Sequence, residues 1–159
     1  MALVDQTIKP SFVGNGINGD VTLTGTEAPI DATCTATSGT TSIAATNASF
    51  APGQQIWIGQ MYGTGMGNWE VRKITAYTAG TITVDRALLN TYVTGAQVRV
   101  IPQYKQITHN AAYTIKAYGS GVGGVLVMAS TKPYVPGASA TIVGNGKGFT
   151  PTLKTNGLG

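Results

Sequence analysis

Charge is the scarcest property of this sequence. Asp, Glu, Lys and Arg make up only 10% of its 159 residues, against roughly 25% in an ordinary soluble domain. The net charge of +4 comes from ten Lys and Arg residues scattered between Lys9 and Lys154, with only Arg72 and Lys73 adjacent. No basic stripe or ladder of alternating aromatic and basic residues exists, which removes nucleic acid from the expected partners. Cys34 is the single cysteine, so no internal disulfide can form. It sits among small alternating residues in "DATCTATSG" and reads as a small buried hydrophobe rather than a reactive thiol. His109 is the single histidine, so neither a histidine-built metal centre nor a Ser-His-Asp triad has a second histidine to draw on. In "QITHNAAY" it is expected to be a polar residue at a strand end. No apolar run approaches the length of a membrane-spanning helix. The start "MALVDQTIKP" lacks the charged and apolar blocks of a signal peptide. The expectation is a chain made in the cytoplasm that needs no cofactor, metal or membrane.

What fills the space is Gly, Thr and Ala: 22 glycines and about two dozen threonines. Thr is β-branched and suits a pleated surface, while Gly punctuates turns. From Asp20 onward, strand-like segments alternate with turn residues. In "GTITVDR" Ile82 and Val84 fall on one face, with Thr81, Thr83 and Asp85 on the other. Further strands are expected at "DVTLTG", "IDATCTAT", "TSIAAT", "QQIWIGQMY", "WEVRKITAYT", "AQVRVIPQY", "YTIKAY", "GVLVMAS" and "ATIVG". No segment joins a 3.6-residue period to helix caps, and "RALLNTY" is a loop or at most one helical turn. The sequence shows no internal repeat. The expected fold is all-β: a single antiparallel β-sandwich or barrel-like domain over residues 20–148, with extended arms at 1–19 and 149–159.

The stretch "QMYGTGMGNWEVRKI" carries Gly63, Gly65 and Gly67. A dinucleotide or P-loop phosphate site needs a glycine loop that opens a helix. Here the continuation is aromatic and β-branched, so "GTGMGN" reads as the tip of an antiparallel hairpin. Large aromatics are usually covered, so Trp69 is expected to fold back over the end of the sheet. The alternative is that Tyr62, Met66 and Trp69, with Tyr92, form an interaction surface, since aromatic and Met side chains are enriched at interfaces.

Catalysis finds little support. Glu70 and Asp85 are the carboxylates most able to meet across paired strands, but Arg72, Lys73 and Arg86 beside them indicate ion pairs rather than a glycosidase pair. Asp20 and Asp31 are too isolated for a calcium loop. No enzyme is expected.

Residues 53–149 resemble a β-rich module found in phage virion proteins and large bacterial surface proteins. The matching residues are Ile56 to Gln60, Trp69 with Glu70, Gly80 to Val84, Leu88 to Tyr92, Ala96 to Tyr104, and "GGVLVMAS…GASATIVGNGKGF". The resemblance implies a virion structural protein, first a capsid decoration or cement protein. Its arms and β domain would then contact the major capsid protein and other copies of itself, as a homo-oligomer such as a trimer on the capsid surface. A receptor- or carbohydrate-binding module of a tail fibre or adhesin is the alternative, and only there does a glycan become a partner.

Overall fold

Alternation of apolar and polar residues sorts the strands into those that close a barrel and those that do not. The structure is a computed structural model that describes residues 14–148. Its strands are β1 (Asp20–Thr26), β2 (Asp31–Ala36), β3 (Ser42–Ala44), β4 (Gln55–Gln60), β5 (Trp69–Thr78), β6 (Thr81–Val84), β7 (Tyr92–Val100), β8 (Gln103–Tyr104), β9 (Gln106–Thr114), β10 (Ala129–Ser130), β11 (Val135–Pro136) and β12 (Thr141–Val143), with no helix among the described residues. The fold is all-β. Of the two antiparallel architectures expected, the barrel is the one observed: β2-β3-β6-β5-β4-β7 closes on itself through antiparallel pairs. Segment 86–91 is a loop.

Ile43, Ile56, Ile58, Ile74 and Ile82 fill the barrel and are at most 1% exposed. Burial of each contributes about 1.5–3 kcal/mol, and six strands leave an interior that side chains alone can fill. Cys34 lies among them, as expected. So does Tyr92, at 1% exposure. The tight link between β5 and β6 is the pair Ala79–Gly80, with φ of 47° and 83°. Both values are positive, as the right-handed twist of a two-residue hairpin demands.

The remaining strands run parallel, which the sequence did not signal. β9 has β1 on one side and β11 and β12 on the other, all parallel, and β8 pairs with β10 in the same sense. Gln103 lies against Ala129, Thr108 against Val135 and Thr114 against Val143, offsets of 26, 27 and 29 residues. These are successive rungs, stacked as in a solenoid. Parallel neighbours require a long crossover, and between β1 and β9 that crossover contains the whole barrel.

Residues 14–19 are tied to the second rung: the Asn15 amide donates to Gln103 Oε1 at 3.2 Å and the Asn18 amide to the Gln103 carbonyl at 2.9 Å. The rest of the expected N-terminal arm, and the whole expected tail from 149, lie outside the described residues. His109, read from sequence as a strand-end residue, is instead fully buried within β9, bonded through Nδ1 to the Tyr134 hydroxyl at 2.5 Å.

Candidate functional site

The glycine loop comes first because its backbone decides whether it can hold an anion. Residues 61–68 join antiparallel β4 and β5, so the hairpin-tip reading holds. Gly63, Gly65 and Gly67 have φ near 80–90°, a conformation that L side chains rarely adopt. The Met66 amide donates to the Gly63 carbonyl, the Gly67 amide to Gln60 and the Asn68 amide to Gly65, at 2.9–3.1 Å. These amides are spent inside the loop and form no outward cradle. Buried Gln60 fastens the loop to β7: its Nε2 donates to the Tyr62 carbonyl at 2.7 Å and its Oε1 accepts from the Val93 amide at 3.0 Å.

The four residues singled out from sequence part company. Tyr92 is inside the barrel, where burial, then nearby Glu70, pushes its hydroxyl pKa up; at 1% exposure it cannot belong to a contact surface. Tyr62 is half-buried against Gly95, where an added Cβ would meet its carbonyl oxygen at 2.7 Å and its ring at 2.9 Å. Met66 and Trp69 stay together, and Trp69 does not fold back: it is 56% exposed and Met66 68%. The cause is strand parity. In β5, Glu70, Arg72 and Ile74 point inward, so Trp69 and Val71 must point outward.

The same parity supplies a residue that sequence reading passed over. Trp57 stands between inward Ile56 and Ile58, and is therefore outward. Its ring lies over Gly59, where a Cβ would sit 2.1 Å from Cη2. Trp57 pairs with Val71, and Gly59 with Trp69, across the β4–β5 ladder. Two indoles and a valine thus cover adjacent positions on the outer wall of the barrel. The alternation in "QQIWIGQ" was the signal that could have placed Trp57 there.

In front of this wall lies a cavity of about 550 Å³, walled by Trp57, Trp69 and Val71 from the barrel, Met128 just before β10, Tyr134 just before β11 and Ile142 in β12. A shallower recess of about 310 Å³ extends the wall to Met66 and Asn68. The site therefore offers broad aromatic surface with a few polar edges, the usual composition of a small-ligand cleft.

Titratable groups elsewhere are committed to structure. Glu70 pairs with Arg72 inside the barrel and accepts from the Leu89 and Asn90 amides at 3.1 and 3.2 Å. Asp85 accepts from the Lys73 amide at 3.0 Å. Glu70 thus holds the loop at 86–91 and Asp85 the backbone of β5, and the ion pair that forms, Glu70–Arg72, lies within β5 rather than across paired strands as expected. Between barrel and rungs, fully buried Arg99 reaches Glu27 at 3.3 Å and Asp31 at 3.5 Å, while Lys116 Nζ binds Asp31 at 2.7 Å. Each carboxylate there faces a cation, an arrangement that holds charge rather than transferring protons. Cys34 has its thiol pKa pushed up to about 12 by burial and is a poor nucleophile. No group of three or more His, Cys, Asp or Glu side chains suited to a metal ion occurs among the described residues.

No protein-family model and no curated protein matches the chain. Solved structures similar to it include two phage tailspikes. One is the tailspike protein gp49 of Pseudomonas phage LKA1, with 12% identity and a TM-score of 0.38 over 62% of this chain and 25% of that one. Another is the Gp54 tailspike of Acinetobacter baumannii bacteriophage AP22, solved in complex with A. baumannii capsular saccharide, with 14% identity and a TM-score of 0.36 over 60% of this chain and 18% of that one. The chain spans a quarter or less of either tailspike's length, and at these TM-scores the likeness carries no argument of its own.

Proposed function

We propose that this chain is a saccharide-binding module of a phage virion protein of the tail-fibre or tailspike kind, with the Trp57–Trp69 wall as its receptor-contact surface. The carrying observation is that Trp69 stands more than half exposed beside Met66, on a strand whose other face is core. An indole presents a flat, rigid, apolar face with one polar edge. A pyranose ring matches it, with axial C–H groups on one face and hydroxyls around the rim. The setting in a virion rests on the resemblance of residues 53–149, and the choice of receptor contact over shell cementing rests on the exposed wall.

The test is a bacterial surface-glycan array probed with the labelled chain and with Trp69→Ala. Saturable binding to particular glycans, weakened about 30-fold by the substitution as for an interface hot spot, supports the reading. Array signals at background for both proteins overturn it. Immunogold labelling of purified particles separates this reading from the capsid-decoration alternative, whose partners would be the major capsid protein and further copies of the chain. Label at the tail sustains the receptor reading, and label spread over the head overturns it.

A further inference from the structure

A second cavity, of about 440 Å³, opens where the barrel meets the rungs. It shares Gln55, Ile101, Val127 and Met128 with the cavity in front of the tryptophans. The two are neighbours, divided by these four residues. Val127 and Met128 belong to residues 125–128, a span that makes no backbone hydrogen bond to another described residue.

The walls of this cavity differ from those of the first. Glu27, Tyr104, Tyr113, Asn15, Asn18 and Gln55 line it. Several of their polar atoms are uncommitted among the described residues. Asn15 Oδ1 accepts from the Ile17 amide and Asn18 Oδ1 from the Gln103 amide, leaving both Nδ2 groups available as donors. Glu27 Oε2 is occupied by Arg99 and by the Lys116 amide at 3.1 Å, which leaves Oε1 free to accept. The Tyr104 and Tyr113 hydroxyls make no hydrogen bond to another described residue. Burial, then the charge of Glu27, raises both tyrosine pKa values, so the hydroxyls stay protonated and can donate.

We infer that this cavity is a second saccharide subsite that takes an uncharged pyranose unit, so that one glycan chain lies across both cavities. The inference rests on the saccharide-binding reading above. Amides, a carboxylate oxygen and phenolic hydroxyls are the donors and acceptors that a ring of hydroxyls requires, and two tyrosine rings supply apolar surface. The specificity for an uncharged unit follows from the balance beneath it. Glu27 and Asp31 are matched by Arg99 and Lys116, so an acidic sugar would bring an unpaired charge against Glu27.

The experiment titrates the full chain with neutral cello-, malto- and chito-oligosaccharides of three or four units. NMR follows the side-chain amides of Asn15, Asn18 and Gln55 together with the indole N–H groups of Trp57 and Trp69. The expected result is one saccharide that moves both sets in a single saturating process. Tyr113→Phe and Tyr104→Phe each keep their ring, leave the melting temperature near that of the parent chain and weaken binding about tenfold. Movement of the indoles alone, with affinity untouched in both variants, overturns the second subsite and leaves the receptor reading standing. A panel in which no saccharide moves any of these resonances overturns the subsite, and together with a silent glycan array overturns both.

Discussion

Gly59 shows how one missing methyl group shapes a surface. The Trp57 ring occupies the space where its Cβ would be, 2.1 Å from Cη2. Gly59→Ala must displace the indole, with an expected stability loss of about 1–3 kcal/mol for overpacking and loss of saccharide binding; chemical denaturation and the glycan array check the two effects. Trp69→Ala should behave differently. An exposed side chain contributes little to the core, so its removal should change unfolding free energy by no more than about 0.5 kcal/mol while weakening binding. Ala79 carries a strained φ of 47°. Asn tolerates that conformation better and suits the first position of this turn, so Ala79→Asn should stabilise by about 0.5–1 kcal/mol and raise the melting temperature by a few degrees. At this scale the sequence was half legible. Met66 and Trp69 are both exposed, although Trp69 was expected to fold back over the sheet. Tyr92 was misplaced because its neighbours in "LLNTYVTG" do not alternate, and nothing local shows that β7 begins there with the ring facing inward.

At the scale of elements, β7 is the hinge between barrel and rungs. Its inward residues Ala96 and Val98 belong to the core, while outward Gln97 and Arg99 are equally buried. Gln97 exchanges two hydrogen bonds with the Gly123 backbone, at 3.0 and 2.8 Å, and Arg99 reaches Glu27 and Asp31. Arg99→Ala leaves two buried carboxylates short of a cation and should cost about 3–5 kcal/mol, read by urea unfolding. The barrel strands were legible because most of them alternate, as in β5 and β6, between turns rich in Gly. The rungs were not. β10 and β11 are two residues long, the offset between rungs drifts from 26 to 29, and the barrel from Asp31 to Val100 separates β1 from the strands it pairs beside, so no fixed period survives to be seen. "YTIKAY" was expected as a strand, yet β9 ends at Thr114, because pairing to β1 and β12 rather than local propensity sets its limits.

Across the whole molecule, the scarcity of charge leaves stability to burial, and burial leaves a trace in pH dependence. The Cys34 thiol is held protonated in the fold, with its pKa pushed from 9.0 to about 12. Tyr92, Tyr104, Tyr113 and Tyr118 are also raised, with burial the first cause in each. Above about pH 9 the unfolded chain releases protons that the folded chain retains, so the unfolded state is favoured. Stability from this source is full below pH 9 and falls between pH 9 and 12. Melting temperatures across that range should show a plateau and then a decline, with Cys34→Ala flattening its early part. The charge pattern could not show that Glu27, Asp31, Arg99 and Lys116 meet between two layers, since they lie up to 89 residues apart.

The central claim is that the outer wall of the barrel binds saccharide through its indoles. Both tryptophans of the chain, Trp57 and Trp69, stand in that wall, so intrinsic fluorescence reports on the site with no label. The direct measurement is a fluorescence titration of the full chain with the capsular and lipopolysaccharide-derived oligosaccharides of candidate host bacteria. The account predicts a saturable blue shift as Trp69 leaves water, absent in Trp69→Phe at the same concentrations. Emission that stays unchanged across the series, while the same glycans bind the chain by calorimetry, would place the binding elsewhere and contradict the account.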